Sequence, residues 1–510
     1  MKKFISLFSL FCLGFLFIGC DEDKKEDIPV PEPPVEHISQ AFEINKKLGR
    51  GINMGNAFEA PSENAWGNPW KPEYFRMMSE LGFTHVRVPV RWEPRSMSSL
   101  PYTIDSDFLD RIKLVVDEAL KNGLHVIINM HHHDELLENP GKEKPRFLAQ
   151  WKQISDFFKS YPNELLFEIL NEPNSAISPQ IWNQYLAEAF AVIREKNPNR
   201  VVLIGTAEWG GISGLSQLVI PENDGNIIVT IHYYNPHEFT HQGADWSGDG
   251  EGKNIGTTWD DTEMERETIH QDFIPVKAFA QKHNVPIHIG EFGAYEKADI
   301  DSRKRWTTYL ARWFEEQGFS WAYWEFSAGF GIYNPTTGQY LQPLVNALLH
   351  DLMPEPGKME LTLVYSSDFS MDNDGWFLQE NGANALFEHK NGELVIDIKN
   401  TGQDGWNLQL IKTNVILEKG KRYAVSFTAS STVSRSFISY IGMNSDPWTA
   451  YSDYNTFTPT NDKKEMKYVF VMSENDVNNA RIVFDLGGGA LTKLTLSSFS
   501  LSEVNIIPNK

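Results

Sequence analysis

The stretch Leu165–Pro173, which reads LLFEILNEP, decides the fold class of this chain. It is a continuous apolar run that stops at the polar triplet Asn171-Glu172-Pro173. Such a run is typical of a strand that is buried on both faces of a parallel sheet. In (β/α)8 barrels the functional residues lie at the carboxyl ends of the strands. A catalytic site at Glu172 therefore requires a second acid at an equivalent position.

Short apolar runs alternate with longer amphipathic ones across residues 41–352. Helical patterns cover Asp105–Asn122, with Asp105 as the predicted N-cap, as well as Ser178–Lys196 and Asp301–Gln317. Strands that alternate with helices imply a parallel sheet, and eight such units predict an α/β fold of the (β/α)8 or TIM-barrel type. The predicted strands are Gly51–Gly55, His85–Val90, His125–His131, Leu165–Glu172, Val201–Gly205, Ile227–Tyr234, Pro286–Gly293 and Ser320–Phe326.

A second acid follows the seventh predicted strand, where PIHIGEFG places Glu291 after an apolar run. Strands four and seven open on the same face of a barrel, so Glu172 and Glu291 are expected to face each other. Hydrolysis of a glycosidic bond requires two such carboxyl groups. One must be protonated to donate to the leaving oxygen, and the other must be ionised. The alternative for either acid alone is a buried ion pair or a helix N-cap.

Several residues near the same strand ends suit this chemistry. Arg87 can pair with an ionised carboxylate, and Tyr234 can donate a hydrogen bond to it. Asn171 can bind a sugar hydroxyl, and His232 is expected beside the acid/base. Trp324 offers a flat ring on which the apolar face of a pyranose can stack. The alternatives are a structural ion pair for Arg87, packing for the two aromatic residues and a core histidine for His232.

The run His131-His132-His133-Asp134 raises the question of a metal site. Consecutive residues on a strand or turn point in different directions, so the three histidines cannot all bind one ion. Spacings typical of zinc sites do not occur in the sequence. We therefore expect neither a metal nor another cofactor, and expect His131 or His132 to bind sugar through hydrogen bonds.

Eight motifs, taken together, resemble glycoside hydrolase family 5 over residues 40–352. They are RGINMGNAFEAP, VRVPVRW, VIINMHHHDEL, LLFEILNEP, IGTAEWGG, TIHYYNPHEFTHQGADW, PIHIGEFGAY and SWAYWEFSAGFGIY. The resemblance implies that Glu172 is the acid/base and Glu291 the nucleophile of a retaining hydrolase. It is closest to members that cleave β-1,4-glucans and, in some cases, β-mannans.

The resemblance also implies a set of substrate contacts, and two departures bear on subsite preference. The departures are the third histidine, His133, and the Gly/Asp-rich run Ser247–Gly256. An endo-β-1,4-glucanase is the leading interpretation. The alternatives are an endo-β-mannanase or xyloglucanase on the same site, and a non-catalytic glycan-binding lipoprotein. The implied contacts are Asn56, Glu59, His131, His132, Asn171, His232, Tyr234, His241, Trp246, Trp324 and Glu325.

The composition changes after the Pro/Gly hinge Met353–Lys358. Short β-rich runs with alternating polarity predict an all-β sandwich over residues 360–510. It resembles the jelly-roll carbohydrate-binding modules that accompany such hydrolases. The alternatives are a structural appendage for the whole domain and a core position for any single ring. The candidate glycan platforms are Trp376, Trp406, Tyr440, Trp448, Tyr451 and Tyr454.

The first 20 residues are typical of an export signal, with Lys2-Lys3 before an apolar stretch. The segment ends in Phe17-Ile18-Gly19-Cys20, which resembles a bacterial lipobox with Cys20 as the lipidated residue. Residues 21–40 are acidic and Pro-rich and predict a solvated tether. We therefore expect a lipoprotein anchored to a bacterial membrane. The acidic run after Cys20 resembles the export signals of surface-exposed lipoproteins, and a plain linker is the alternative for that run. The alternative is an ordinary cleaved signal and a secreted protein.

The overall composition limits the partners. The chain has 510 residues and a formal net charge of −22, which predicts two or three domains and argues against nucleic acid as a partner. An uncharged polysaccharide is compatible with this charge, and we expect a monomer. The two cysteines, Cys12 and Cys20, both precede the folded part, which is therefore expected to lack disulfides.

Overall fold

Eight parallel strands form a closed barrel in the computed structural model, which describes residues 39–507. The strands pair in chain order, and β8 returns to β1 through the pairs Arg50–Trp321 and Gly51–Ala322. The predicted TIM barrel is therefore confirmed. The strands are β1 Arg50–Asn53, β2 His85–Val88, β3 His125–Asn129, β4 Leu165–Glu168, β5 Val202–Ile204, β6 Ile227–His232, β7 Ile287–Phe292 and β8 Ser320–Tyr323.

All eight barrel strands end earlier than the sequence predicts. The predicted strand Leu165–Glu172 ends at Glu168, so Glu172 lies on the loop beyond β4. The regular pairing between β3 and β4 ends with Asn129 and Glu168, and isolated backbone hydrogen bonds follow, such as that from Asn171 to the carbonyl of Met130 at 3.0 Å. The apolar residues after Glu168 remain buried under the loops, which explains why the pattern overstates the strand length.

Helices surround the barrel and have the caps that their sequences favour. Asp105 accepts a hydrogen bond from the amide of Asp107 (2.8 Å), which confirms the predicted N-cap. Thr262 and Glu265 form a capping box at the start of the helix that precedes β7. The helices are α1 Gln40–Leu48, α2 Glu73–Leu81, α3 Ser106–Lys121, α4 Asp134–Glu138, α5 Pro140–Phe157, α6 Pro179–Arg194, α7 His237–Thr240, α8 Glu263–His283, α9 Ile300–Glu316 and α10 Gln342–Leu349.

A small hairpin and a β-sandwich follow β8. The hairpin consists of β9 (Tyr333–Asn334) and β10 (Gln339–Tyr340). The sandwich has two antiparallel sheets, in the orders β13-β14-β21-β16-β19, with β11 also on β21, and β12-β15-β20-β17-β18. Its strands are β11 Lys358–Ser367, β12 Phe377–Glu380, β13 Asn384–His389, β14 Leu394–Asn400, β15 Leu408–Leu417, β16 Arg422–Ser431, β17 Phe437–Met443, β18 Asn455–Phe457, β19 Lys464–Val471, β20 Val477–Asp485 and β21 Lys493–Ile507.

The predicted all-β sandwich is confirmed, but Trp376 is not a glycan platform. Its side chain is fully buried in the core between the sheets, where it packs against Phe484 and Phe499. Its indole Nε1–H donates to the hydroxyl of Tyr365 at 2.9 Å. Tyr451 is half-buried against the same core. Burial of the Trp376 ring contributes about 2–3 kcal/mol to stability.

The signal, Cys20 and nearly all of the tether lie outside the described residues. Within residues 39–507, no helix is both long and apolar enough to cross a bilayer.

Candidate active site

Two glutamates meet at the carboxyl end of the barrel. Glu291 lies within β7, and Glu172 lies on the loop after β4. Three atoms lie within 4.8 Å of one another: one carboxylate oxygen of Glu172, one of Glu291, and Nδ1 of His232 at the end of β6. Glu291 is buried, whereas the side chain of Glu172 is 30% exposed. The two carboxyl groups thus face one small volume but differ in access to solvent.

Arg87 is fully buried on β2 and connects several side chains at the base of the site through hydrogen bonds. Its Nε and Nη2 donate to the two oxygens of Glu168, each at 2.7 Å. Its Nη1 donates to Glu291 (2.7 Å) and to Oδ1 of Asn53 (2.9 Å). Nη2 also donates to Oδ1 of Asn171 at 2.6 Å. The guanidinium therefore balances two buried carboxylates and fixes the positions of four side chains, three from strands β1, β4 and β7 and one from the loop after β4.

Tyr234 and His232 complete the surroundings of the acids. The Tyr234 hydroxyl donates to Oε2 of Glu291 at 2.9 Å. His232 Nδ1 lies 2.7 Å from Oε1 of Glu172 and 3.7 Å from Glu291. Burial lowers the pKa of His232, but the carboxylates of Glu291 and Glu172 outweigh burial, so its pKa lies above the ordinary value. Burial, Glu291 and Glu172 together hold the pKa of Tyr234 well above its ordinary value, so Tyr234 stays a donor.

Asn171 is oriented by two contacts. Its backbone N–H donates to the carbonyl of Met130 at 3.0 Å, and its side-chain oxygen accepts from Arg87. Because that oxygen is occupied, the side-chain NH2 group is the part that can meet a sugar hydroxyl. The structure therefore places Asn171 as a donor beside Glu172.

His131, His132 and Trp324 form an aromatic wall next to the acids. The ring of His131 stacks on that of Trp324, with centroids 5.5 Å apart and planes inclined by 10°. His132 meets His131 edge-on at 4.7 Å and Trp66 at 6.0 Å. Burial, with a contribution from His132, holds the pKa of His131 well below its ordinary value. Burial also lowers the pKa of His132. The two neutral rings can bind sugar hydroxyls without adding a cation.

Asn56, Glu59 and Glu325 form a further polar group on the segments that follow β1 and β8. Glu59 accepts hydrogen bonds from the backbone amides of Asn56 and Ala57, the latter at 3.0 Å. Burial raises the pKa of Glu59 to about 7, although these amides oppose the shift. Burial, and then the Glu59 carboxyl, raise the pKa of Glu325 well above its ordinary value. At least one carboxyl of this pair is therefore protonated at neutral pH and can act as a donor.

The long loop after β6 brings His241 and Trp246 to the site. His241 lies edge-on to Tyr234, with ring centroids 4.9 Å apart, and stacks on His237 at 4.2 Å. Burial, with a contribution from His237, lowers the pKa of His241 to about 3. Trp246 is 64% exposed and leans edge-on against Tyr295 at 4.9 Å. This ring is thus open to a ligand.

Both departures from the family pattern have local structural explanations. His133 is the N-cap of α4, and its Nδ1 accepts from the amide of Leu136 at 3.2 Å. The run Ser247–Gly256 folds around the buried carboxylate of Asp249, which accepts from the amide of Gly243 at 2.8 Å. The run is therefore an ordered part of the loop that carries Trp246.

Sequence reasoning missed Glu168, Asn53, Trp66 and Trp209. Glu168 and Asn53 hold Arg87 from inside the barrel, where they are fully buried. Trp66 is 45% exposed next to His132, and Trp209 is 61% exposed with its amide 3.2 Å from the carbonyl of Pro173. A charged or amide residue within an apolar strand is the signal that could have identified the first two. The exposed tryptophans follow β1 and β5, where barrel enzymes carry substrate loops.

The cluster of Glu172, His232 and Glu291 also has the spacing of a metal site. The Arg87 guanidinium at 2.7 Å from Glu291 opposes a second cation there, since like charges repel strongly at low dielectric. The carboxylates already bind Arg87, Tyr234 and His232, so the geometry fits acid–base chemistry better than metal binding.

Known proteins resemble both halves of the chain. The profile of the cellulase family, glycosyl hydrolase family 5, matches residues 49–329, and that of a carbohydrate-binding domain matches residues 361–493. Endoglucanase H of Acetivibrio thermocellus is 36% identical over 316 residues, which are 61% of this chain and 33% of the relative. This chain thus spans about a third of that relative's length.

Solved structures resemble the barrel. Endoglucanase Cel5A from the hyperthermophilic Thermotoga maritima is 48% identical, with a TM-score of 0.59, and the match covers 60% of this chain and 99% of that one. Further structures of that Cel5A are described as complexes with cellobiose and with mannotriose. The clostridial cellulose synthase subunit Z from Clostridioides difficile is 36% identical, with a TM-score of 0.58, and the match covers 59% of this chain and 100% of that one.

Proposed function

Because the chain belongs to glycosyl hydrolase family 5, we propose that it is a retaining, endo-acting hydrolase of β-1,4-glucans. The observation that carries this proposal is the approach of the Glu172 and Glu291 carboxylate oxygens to within 4.8 Å. Retaining glycosidases separate their carboxyl groups by about 5–5.5 Å, whereas inverting ones leave room for a water at about 6.5–9.5 Å. The shorter spacing supports double displacement.

In the proposed cycle, Glu172 first protonates the leaving glycosidic oxygen while Glu291 attacks the anomeric carbon. Glu172 then takes a proton from water, which hydrolyses the glycosyl–Glu291 ester. The surroundings suit these roles. Glu291 accepts hydrogen bonds from Arg87 and Tyr234, which fix its position. Glu172 is partly exposed, and within residues 39–507 His232 is its one side-chain partner.

The substrate-facing groups favour a neutral sugar chain. His131 and His241 have lowered pKa values, and the exposed rings of Trp66, Trp209 and Trp246 offer stacking surfaces around the mouth. β-Mannan is a second candidate, because a Cel5A structure 47% identical to this chain is described as a complex with mannotriose. A reducing-sugar assay on cellulose derivatives, mixed-linkage glucan, xyloglucan, glucomannan and mannan separates these substrates. Release from mannan alone, with none from any glucan, would overturn the glucanase proposal.

Substitution of the two acids tests the catalytic roles. We expect Glu291→Ala to lower kcat by roughly 10⁴-fold or more on both polymer and an activated aryl β-glycoside. Glu172→Ala should lose activity on polymer. It should retain more activity on the aryl glycoside than on polymer, because the activated aryl leaving group departs without a proton. Added azide should form a β-glycosyl azide with Glu172→Ala, because it attacks the ester on the retained nucleophile. With Glu291→Ala it should form the α-glycosyl azide, because azide then takes the place of the nucleophile.

Glu296→Ala is the matched control, because Glu296 is an exposed glutamate on the loop after β7. It should behave as wild type. If wild type and Glu291→Ala were equally slow on the aryl glycoside, the chain would instead be a non-catalytic glycan-binding protein.

The β-sandwich is proposed to bind glycan through the outer face of the sheet that contains β15, β20 and β17. Alternate residues of β20 point outward, including Arg481, and its guanidinium lies over the ring of Trp448 at 4.5 Å. Tyr440 on β17 is covered by Tyr454 at 4.8 Å. Trp448 and Tyr454 are 46% and 59% exposed, so two rings stand above a polar floor. Electrophoresis of the full chain in gels that contain β-glucan tests this binding.

Export and lipid anchoring remain proposals that rest on the N-terminal sequence. We expect Cys20→Ser to release the protein from the membrane fraction and to abolish incorporation of labelled palmitate. Protease treatment of whole cells tests surface exposure. Membrane retention of Cys20→Ser would contradict the anchor.

A further inference from the structure

Arg422, on a strand of the sandwich, contacts the barrel. Arg422, the first residue of β16, places Nη1 2.7 Å from Oδ2 of Asp260 and 3.8 Å from Glu265. Its Nη2 donates to the hydroxyl of Thr258 at 3.1 Å. Arg422 and Asp260 are both largely shielded, with side chains 18% and 13% exposed. Arg305 of α9 holds the same segment from the barrel side, since its Nε donates to the carbonyl of Trp259 at 2.9 Å.

Arg422 contacts Thr258 and Asp260, which lie at and directly beyond the far end of the substrate loop, defined here as residues 241–259. This loop begins with His241, continues through Trp246 and ends at Trp259, whose ring is buried in the barrel. The fully buried Gln242 joins the two ends. Its Nε2 donates to the carbonyl of Thr257 at 2.8 Å, and its Oε1 accepts from the amide of Gly256 at 2.9 Å.

A second contact fixes the chain that leads into the sandwich. Asp261 accepts two hydrogen bonds from Arg266 of α8, at 2.6 and 2.8 Å. Arg266 also donates to the carbonyl of Pro354 at 2.8 Å, and the amide of Gly357 donates to the carbonyl of Asp261 at 2.8 Å. The hinge and β16 therefore contact neighbouring residues at the base of one loop.

From this geometry we propose that Arg422 is a positioning residue of the active site, through which the sandwich braces the substrate loop. Arg422 holds Thr258 and Asp260, Gln242 transmits that constraint across the loop, and His241 and Trp246 are thereby presented to the sugar. The sandwich then aids short soluble substrates that never touch its own glycan-binding face. This inference rests on the proposed hydrolase function.

The test compares Arg422→Ala with Lys421→Ala in the full chain. Lys421 is the matched control, because it precedes Arg422 and pairs only within the sandwich among the described residues, with Glu503 (2.9 Å) and Glu418 (3.0 Å). On cellotetraose, Arg422→Ala should raise KM by about 3- to 10-fold and change kcat by less than about 2-fold. Lys421→Ala should match wild type, and Arg422→Lys should recover part of the loss in KM.

Hydrogen exchange provides a readout that does not depend on activity. The amides of Gly243, Gly256 and Thr257 are hydrogen-bonded in the loop, and they should exchange faster in Arg422→Ala but not in Lys421→Ala.

If KM in Arg422→Ala stayed at the wild-type value, the inference would be wrong, whatever the exchange rates. Equal changes in both variants would also overturn it. If wild type hydrolysed no glycan, the proposed function would fail, whereas faster exchange in Arg422→Ala alone would still support the brace.

Discussion

The barrel mouth and the outer face of the sandwich are each built around a buried arginine, but the two arginines have opposite surroundings. Arg87 lies between the carboxylates of Glu168 and Glu291, each at 2.7 Å. Arg481 lies under the ring of Trp448 and 3.4 Å from the hydroxyl of Tyr440. The first is a network of buried charges, and the second is a polar floor beneath exposed rings.

The surroundings of Arg87 suit catalysis, whereas those of Arg481 suit the binding of a glycan. A buried ion-pair network holds charged groups in fixed positions where charge develops in a transition state. Exposed rings over the Arg481 guanidinium gain contact with the apolar face of a sugar and hold it without acting on a glycosidic bond. Substitutions at the barrel mouth should therefore change stability and kcat, whereas substitutions on the sandwich face should change only retention on glycan.

The largest expected effect is that of Arg87→Met, which leaves the carboxylates of Glu168 and Glu291 buried without their cation. Removal of one partner from a buried ion pair costs about 3–5 kcal/mol. We expect a loss of that size in the free energy of unfolding, measured in urea by helical circular dichroism, and a kcat reduced by at least about 100-fold. Arg91→Met is the control, because Arg91 pairs with Glu93 and Asp134 nearer the surface. A wild-type kcat in Arg87→Met would contradict the charge network.

The next effect is a pH dependence from Glu59, whose pKa burial raises to about 7. The folded state holds this proton more tightly than the unfolded chain does. The resulting stability is fully present below the unfolded-state pKa and is lost as pH rises through about 7. The contribution is on the order of 3 kcal/mol.

Glu59→Gln should remove that pH dependence. Between pH 4.5 and 8, the wild type should lose stability relative to the variant, as measured by urea unfolding at each pH. Glu296→Gln is the control and should follow the wild type. A constant difference between wild type and Glu59→Gln across this range would show that Glu59 does not titrate there.

The smallest expected effect is that of Trp448→Ala on the sandwich. Loss of one stacking ring should weaken binding to β-glucan by about 1–2 kcal/mol, read as a reduced retardation in affinity gels. kcat on cellotetraose should not change. The control is Leu386→Ala, an exposed residue of β13 in the other sheet. If Leu386→Ala lost retardation and Trp448→Ala kept it, the assignment of the binding face would be reversed.

Much of the barrel was predictable, because its strands are buried on both faces and read as continuous apolar runs. Because Glu168 lies within such an apolar run, its role was not predicted. A glutamate inside LLFEIL looks like part of a longer strand, and the structure was needed to show that β4 ends at Glu168 and that its carboxylate binds Arg87. The positions of Glu172 and Glu291 followed from chain order, whereas their spacing and their partners required the structure.

The sandwich was less predictable in detail. Trp376 and Trp448 both follow turn-forming residues, in DNDGW and NSDPW, yet the first is in the core and the second is exposed. The buried indole N–H of Trp376 donates to the hydroxyl of Tyr365, and the spacing of these two residues in the sequence does not predict that contact. The contact of Arg422 with Asp260 is equally non-local, so no sequence period could reveal it.

The most direct test of the central claim is the anomeric configuration of the first product from cellotetraose, followed by proton NMR in the first minutes of hydrolysis. The 4.8 Å approach of the Glu172 and Glu291 oxygens predicts that the β-anomer appears first and that the α-anomer grows in later by mutarotation. Initial appearance of the α-anomer would show inversion and would contradict the double-displacement roles of these two residues.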